Sequence, residues 1–362
     1  MKGRTNGRRL CVAVTAVGGG VGQAILRALR HSTLEFRVVA LDMEPRSPDL
    51  YASDGAYIVP AAEDPEYTAT LERVVAAEGV ELLFAGSDTE LPVLARSRAR
   101  LEAAGAKVVV GAPEPVSYGY DKLLGATFFR DLGLPFARTV KAPDAVALAA
   151  EIGYPLVVKP KSGSASKNVT VAFGPEDLVP YEDRDDFVVQ EYAVAEAWNT
   201  RREDVRRETV TRGGGLRQED EISVQVLYDH ERHHLGTFAS VNRLRGGIPL
   251  FIDPAECPEV EDVAERMARS LVDRGLIGPS NFQCRLTCDG VRVFEVNTRF
   301  TGITGVRAAM GWNEVEAMVR RMLLGEPVDA VRSSLRRRFD VLGMRYVDEC
   351  LVARKAFERL AG

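Results

Sequence analysis

Two short segments near the carboxyl end of this 362-residue chain carry an unusual set of side chains. Asn281-Phe282-Gln283-Cys284 alternates polar and apolar residues, as does Val293-Phe294-Glu295-Val296-Asn297, with Arg299 just beyond. Alternation puts every second residue on one face of a strand. Between them, Cys288-Asp289-Gly290 reads as a three-residue hairpin loop with glycine last. Such a loop pairs Thr287 with Val291, sets Gln283 opposite Glu295 and Asn281 opposite Asn297, and brings opposed side chains to about 5 Å. A two-residue loop would shift the register and split the polar set. Hard cations such as Mg²⁺ take oxygen ligands and keep phosphate oxygens as partners. Glu295 can bridge two such ions, and the amide carbonyls of Gln283 and Asn297 can complete them without excess charge. Arg299 can neutralise an anionic substrate or a phosphoryl group in transit. The plain alternative is a solvent-facing sheet surface, which Lys, Thr and Glu would serve better than amides and a lone carboxylate.

Anion-binding groups lie upstream. Lys159 ends the apolar run Leu156-Val157-Val158, and the following loop, residues 161–168, is small, hydroxylated and basic. Its amides and the hydroxyls of Ser162, Ser164 and Ser166, with Lys167, can close over phosphates as a flap. GxxxxGK[ST] is absent, so this is not a Walker loop. Lys122 completes the set, although each lysine alone reads as a surface residue. Arg243 and Arg245 can grip a carboxylate in two-point fashion or sit in a solvated loop. Ser87-Asp88-Thr89-Glu90 follows a strand and can face the same cleft. Four histidines, three of them at a hairpin tip, supply no triad.

These groups need elements to hold them. Residues 10–17, 36–41, 81–85 and 107–110 read as buried parallel strands, alternating with helices over 24–30, 67–77 and 91–104. The turn Gly18-Gly19-Gly20-Val21-Gly22-Gln23 with Asp42 downstream invites a dinucleotide reading, but it misses GxGxxG at Gln23, and a glycine turn is needed there for close packing anyway. Pro113 and Pro115 mark a boundary. Strands follow at 156–159 and 169–173, then at 221–228, with helices at 260–276 and 313–324 and a last strand at 339–346. Residues 194–220 carry six arginines and six acids among 27 positions, interrupted by three glycines, and read as a mobile insertion.

Composition excludes several classes. Lys and Arg number 47 against 52 Asp and Glu, for a net charge of −5, which does not suit a nucleic-acid backbone. No apolar run reaches 18 residues, so no membrane span is expected. Five cysteines, mostly among apolar neighbours, fit reduced thiols in a cytoplasmic protein.

Taken together, Lys122, Lys159, residues 162–168, Gln190-Glu191-Tyr192, Glu221, Gln283 and Glu295-Val296-Asn297-Thr298-Arg299 resemble the ATP-grasp superfamily, closest to the carbamoyl-phosphate-synthase-like carboxylate–amine ligases. The resemblance covers nearly the whole chain. It implies an α/β protein, α+β in its ATP-binding part: a Rossmann-like pre-ATP-grasp domain (1–115), a small lobe with the phosphate-covering loop (116–190), and a large lobe with the metal site and the 194–220 insertion (191–362). It implies that Lys122, Lys159 and residues 162–168 contact ATP phosphates, with Lys167 near the terminal one. Gln190, Glu191 and Ala193 would form the adenine-gripping hinge, Glu221 would bind ribose, and Gln283, Glu295 and Asn297 would hold Mg²⁺ or Mn²⁺. Arg299 would steady an acyl phosphate, and Thr301 and Gly302 would form a substrate wall. Thr298 stands where proline is common, and Asn168 where glycine is frequent. Small-molecule carboxylate and amine substrates and a homodimer are expected. The alternatives are phosphorylation of a small acid as in carbamoyl phosphate synthesis, a non-catalytic nucleotide-binding protein, and a nicotinamide-dependent oxidoreductase.

Overall fold

The computed structural model describes residues 8–163, 167–198 and 218–361. Three sheets organise it. The first is parallel: β1 (Leu10–Val14), β2 (Phe36–Asp42), β3 (Gly55–Ile58), β4 (Leu82–Phe84) and β5 (Lys107–Val108), in the order β3-β2-β1-β4-β5. Strand order reverses beside β1, where α/β sheets open a crevice at the carboxyl ends of the strands. β1 is buried at every position, as its unbroken apolar run requires. The Gly18–Gly22 turn is tightly packed: a Cβ on Gly22 would lie 2.4 Å from the Ala16 carbonyl oxygen. Asp42 accepts from the Gly18 amide at 2.7 Å and from the Glu44 amide at 2.8 Å, so its carboxylate closes two loops.

The second sheet is small and antiparallel: β6 (Thr139–Lys141), β7 (Leu156–Pro160), β8 (Thr170–Ala172) and β9 (Phe187–Glu191), in the order β6-β9-β7-β8. Its core of Leu148, Leu156, Val158, Phe187 and Val189 is its own.

The third sheet comprises β10 (Gln218–Tyr228), β11 (His234–Arg245), β12 (Ile248–Ala255), β13 (Gly278–Thr287), β14 (Gly290–Asn297) and β15 (Gly343–Met344), in the order β14-β13-β10-β11-β12-β15. The strand expected over 339–346 shrinks to β15, because only Gly343 and Met344 pair with β12. The helix Pro258–Val272 covers one face, packing Val260, Val263, Met267 and Leu271 on Val224, Val226, Phe282 and Val296. Phe129 joins this core, with ring centroids 5.6 Å from Phe136 and 6.2 Å from Phe282. That face absorbs the apolar half of each alternating strand, which leaves the polar half for the other.

The first and third sheets share one continuous core. Val12, Val14, Ile25 and Phe84 pack with Phe300, Trp312, Met318 and Val319, the last three belonging to the Glu314–Met322 helix and the turn before it. Asn313 caps this helix, accepting from the Glu316 amide at 3.0 Å.

Candidate active site

The β13–β14 hairpin departs from the expected turn and still delivers the expected face. Its pairing closes on Thr287↔Gly290, so two residues, Cys288 and Asp289, form the turn instead of three. Carried on unchanged, that register would set Gln283 opposite Phe294. The register shifts between Gln283 and Cys284, which leaves Phe294 as an extra residue on β14, and the pairs Gln283↔Glu295 and Asn281↔Asn297 result. The bulge has a tertiary cause. Residues 134–138 run beside it: the Val293 amide donates to the Pro135 carbonyl at 2.9 Å, and the Ala137 amide to the Val293 carbonyl at 2.7 Å.

Neighbouring strands extend the polar face. Ser223 pairs with Gln283, Gln225 with Asn281, and Glu221 with Asn242. The Asn281 amide donates to Ser223 Oγ at 2.9 Å. Among the described residues, Asn281 Oδ1 and Gln225 Oε1 are buried oxygens with no hydrogen-bond donor. Asn297 Nδ2 donates to Glu295 Oε1 at 3.2 Å. Two amides and a carboxylate, aligned by register and supplying oxygen ligands, are a donor set that suits a hard divalent cation. Glu221 is 5 % exposed, and burial pushes its carboxyl up to about 7, with Arg285 pulling the other way.

Lys159 ties the small sheet to this face. It is 4 % exposed; its ammonium donates to Gln190 Oε1 at 2.8 Å and to the Phe294 carbonyl of the bulge at 3.1 Å. Burial lowers its pKa to about 8, against the attraction of Glu295. Gln190 is positioned in turn by donating to Thr139 Oγ1 at 2.8 Å. Its side chain therefore orients Lys159, a role the sequence did not reveal. Lys122 opens the helix Lys122–Asp131, which Asp121 caps, and donates to the Gly163 carbonyl at 2.8 Å in the loop of residues 161–168. Ser162 and Lys167 of that loop are described; Ser164 and Ser166, like most of residues 194–220, lie outside the described residues. Asn168 has φ +57°, the left-handed conformation that favours glycine or asparagine.

At the end of β9, Glu191 Oε2 accepts from the Arg138 amide at 3.1 Å, and Ala193 gives its carbonyl to Arg285 Nη1 at 3.0 Å. The Arg285 guanidinium lies 5.4 Å from the Tyr192 ring and 5.7 Å from that of Phe294. This packs the segment after β9 against the large sheet.

A cavity of about 390 Å³ opens over the polar face. Glu221, Asn281, Gln283, Glu295, Asn297, Arg299, Thr301 and Gly302 line it from the third sheet and the turn that follows, and Gly19, Gly20, Ser87 and Asp88 line it from the first unit. Arg299 is held from across that boundary. Asp88 takes its Nε and, at 2.5 Å, its Nη2. Nη2 also donates to Asn297 Oδ1 at 3.2 Å and Nη1 to the Phe300 carbonyl at 2.8 Å. Burial works against the Arg299 charge, and the Asp88 carboxylate more than restores it. Asp88 is thus the partner of Arg299, and only the fold brings them together.

Arg243 and Arg245 are placed differently from expectation. Strand alternation turns Asn242 and Leu244 into the cavity and leaves the two arginines exposed on the other side, Arg243 stacked over Phe251 at 5.5 Å. The guanidinium that lines the cavity besides Arg299 is Arg345, beyond β15. Asp229, Glu231 and His233 also cluster, but Asp229 accepts from Arg321 Nε at 2.7 Å and from the amides of Glu231 and His233.

Residues 12–109 match the PylC-like N-terminal domain family. The chain is 25% identical to the carbamoyl phosphate synthase large chain of Rubrobacter xylanophilus over 334 residues, 87% of this chain and 30% of that protein, so it spans about a third of the length of that relative. In fold it is similar to carboxyaminoimidazole ribonucleotide synthase from Aspergillus clavatus complexed with ATP, with a TM-score of 0.63 and 16% identity over 91% of this chain and 80% of that one. It is also similar to the biotin carboxylase domain of 2-oxoglutarate carboxylase from Hydrogenobacter thermophilus, in complex with MgADP, ADP and bicarbonate, with a TM-score of 0.64 and 16% identity over 91% and 73% of the two chains. No helix among the described residues is long and apolar enough to cross a membrane.

Proposed function

We propose that the chain is an ATP-grasp enzyme, an ATP-dependent, ADP-forming carboxylate–amine ligase that makes an amide or peptide bond through an acyl phosphate; the fold it shares with the two synthase and carboxylase structures supports this. The observation that carries this reading is the register of β13 and β14, which aligns Gln283, Glu295 and Asn297 on one cavity wall beside the buried Lys159. A carboxylate is a poor electrophile because its leaving group would be oxide. Transfer of the γ-phosphoryl group to a carboxylate oxygen releases ADP and gives a mixed anhydride; an amine then attacks the carbonyl carbon, and phosphate leaves as the amine gives up a proton.

Lys159 and Lys122 balance phosphate charge, and residues 162–168 cover it. Gln190 keeps the Lys159 ammonium aimed at the cleft. Glu191 and Ala193 border the base, and Glu221 accepts from ribose. Gln283, Glu295 and Asn297 would hold Mg²⁺, which supplies charge neutralisation on the polyphosphate. Arg299, fixed by Asp88, presents a guanidinium where negative charge accumulates, and Thr301 and Gly302 shape the acceptor side. We place the reaction in the cytoplasm, where ATP and reduced thiols coexist.

The sequence relative supports a second reading, phosphorylation of a small acid without an amine acceptor. Phosphate release from MgATP, measured over a panel of carboxylates and amines supplied singly and in pairs, separates the two. Release that requires a pair supports ligation; release with bicarbonate or one acid alone supports the second reading; NADH oxidation without phosphate release overturns both. Glu295→Ala should abolish release while the circular dichroism spectrum and thermal midpoint stay near wild type.

A further inference from the structure

The catalytic cavity has a neighbour. A second cavity, of about 420 Å³, adjoins it, and Arg345 stands in the wall of both. Val306, Met310 and Leu342 give the second cavity an apolar side, and Arg27, His31 and Arg338 supply basic groups, facing a single exposed acid, Asp348. The cations differ in how far their charge is already balanced. Arg299 is clamped by Asp88, and Arg338 pairs with Asp340 at 2.9 Å. Arg345 is half-buried and, among the described residues, forms no ion pair; Nη1 makes one long bond, 3.4 Å, to the Pro249 carbonyl. Its charge is opposed by burial and then by Arg27, itself without an ion pair among the described residues. A half-buried guanidinium beside a second cation is unfavourable unless an anion joins them. Gly302 leaves room: a Cβ there would meet Arg345 Nη1 at 3.6 Å.

We infer that Arg345 is a specificity-determining residue that receives an oxyanion, a carboxylate or a phosphate, at the non-reacting end of an extended substrate whose middle lies along the apolar side of the second cavity. The inference rests on the ligase reading, because it takes the reacting carboxylate to lie in the first cavity near Arg299. Arg345 joins the two chambers, so a substrate that runs from Arg299 along the apolar side of the second cavity passes its guanidinium. Its planar fork matches either oxyanion in two-point geometry.

The test uses the full chain and calorimetric titration, with and without saturating MgADP. The probes are α,ω-dicarboxylates from glutarate to suberate, the corresponding ω-phosphonocarboxylates, and monocarboxylates of equal length. The expected result is that one doubly anionic length binds at least tenfold tighter than its monocarboxylate, and that Arg345→Gln erases the difference while MgADP affinity stays within twofold. Arg27→Gln should reduce the preference in part. The better of the dicarboxylate and phosphonate series identifies the oxyanion. Equal binding of mono- and dianions by wild type, or an unchanged preference in Arg345→Gln, overturns the inference. Failure of wild type to bind MgADP while the dianion preference persists overturns the ligase reading instead.

Discussion

Raising the pH from 7 to 9 should weaken the affinity for MgATP about tenfold, and Lys159 is the reason. Its ammonium is buried against Gln190 and the Phe294 carbonyl, and burial lowers its pKa from the ordinary 10.5 to about 8. That difference corresponds to about 3 kcal/mol held against the charged form in the free protein. The sign follows from proton binding. Between pH 8 and 10.5 the unfolded chain keeps the proton and the folded chain loses it, so this group disfavours folding fully below pH 8 and the penalty fades as pH rises. A nucleotide phosphate reverses the preference by supplying the missing counter-charge, so the complex keeps the proton that the free protein gives up. The protonated fraction is about 0.9 at pH 7 and about 0.1 at pH 9, and the observed dissociation constant scales with its inverse. Calorimetric titration with MgATP at half-unit steps from pH 7 to 9.5 measures the slope. Lys159→Met should bind weakly and without a slope over the same range. A wild-type dissociation constant that stays flat to pH 9.5 would refute the buried-lysine argument, and with it the placement of Lys159 at the phosphates.

Other outcomes follow from the same geometry. Asp88→Asn loosens the two-point clamp on Arg299 and should lower kcat for phosphate release about 10–100-fold, from about 1.4–3 kcal/mol for a partly buried pair, with MgATP affinity within twofold; an unchanged kcat would remove Asp88 as a positioning residue. Glu221 has its carboxyl raised to about 7, so the stability it contributes is full below pH 4.5 and lost as pH rises through 7. Glu221→Gln should therefore stabilise the free protein by up to about 3 kcal/mol at pH 8 and little at pH 5, read by urea unfolding, while weakening MgATP binding; equal gains at both pH values would contradict this. Deleting Phe294 removes the bulge, and the turn register then sets Glu295 opposite Gln283 and Asn297 opposite Asn281 directly, so phosphate release should survive within about tenfold while far-ultraviolet circular dichroism stays near wild type; a loss of more than about 100-fold would show that register alone does not align the site.

The polar face was legible because period-two alternation is local: Gln283, Glu295 and Asn297 are fixed by parity once two strands are recognised. The turn was not, because the bulge that restores the register sits against a segment distant in sequence, residues 134–138, which bond Val293. Parity also misled. Arg243 and Arg245 have the right chemistry, but whether they or Asn242 face the cavity depends on the β10–β11 pairing, which sets Glu221 opposite Asn242. Asp88 stood in a segment already read as facing the cleft, yet its pairing with Arg299 across 211 positions carries no local signal. Arg345 lay within a stretch read as a strand, and its place in the wall appears only once β15 docks on β12.

The shared core of the first and third sheets sets the first unit apart from the small sheet. Val12, Val14 and Phe84 interlock with Leu227, Phe238, Ile252, Phe300, Trp312 and Met318, so the first unit and the third sheet pack as one block. The four-stranded sheet keeps a separate interior and meets that block through the run at 134–138, the end of β9 and the Lys159 ammonium. On the proposed function, a swing of the small sheet would carry Lys159 in and out while the cavity beside Arg299 held its shape. The ligase reading would then divide recognition of the acceptor and loading of ATP between two separately packed parts of the fold.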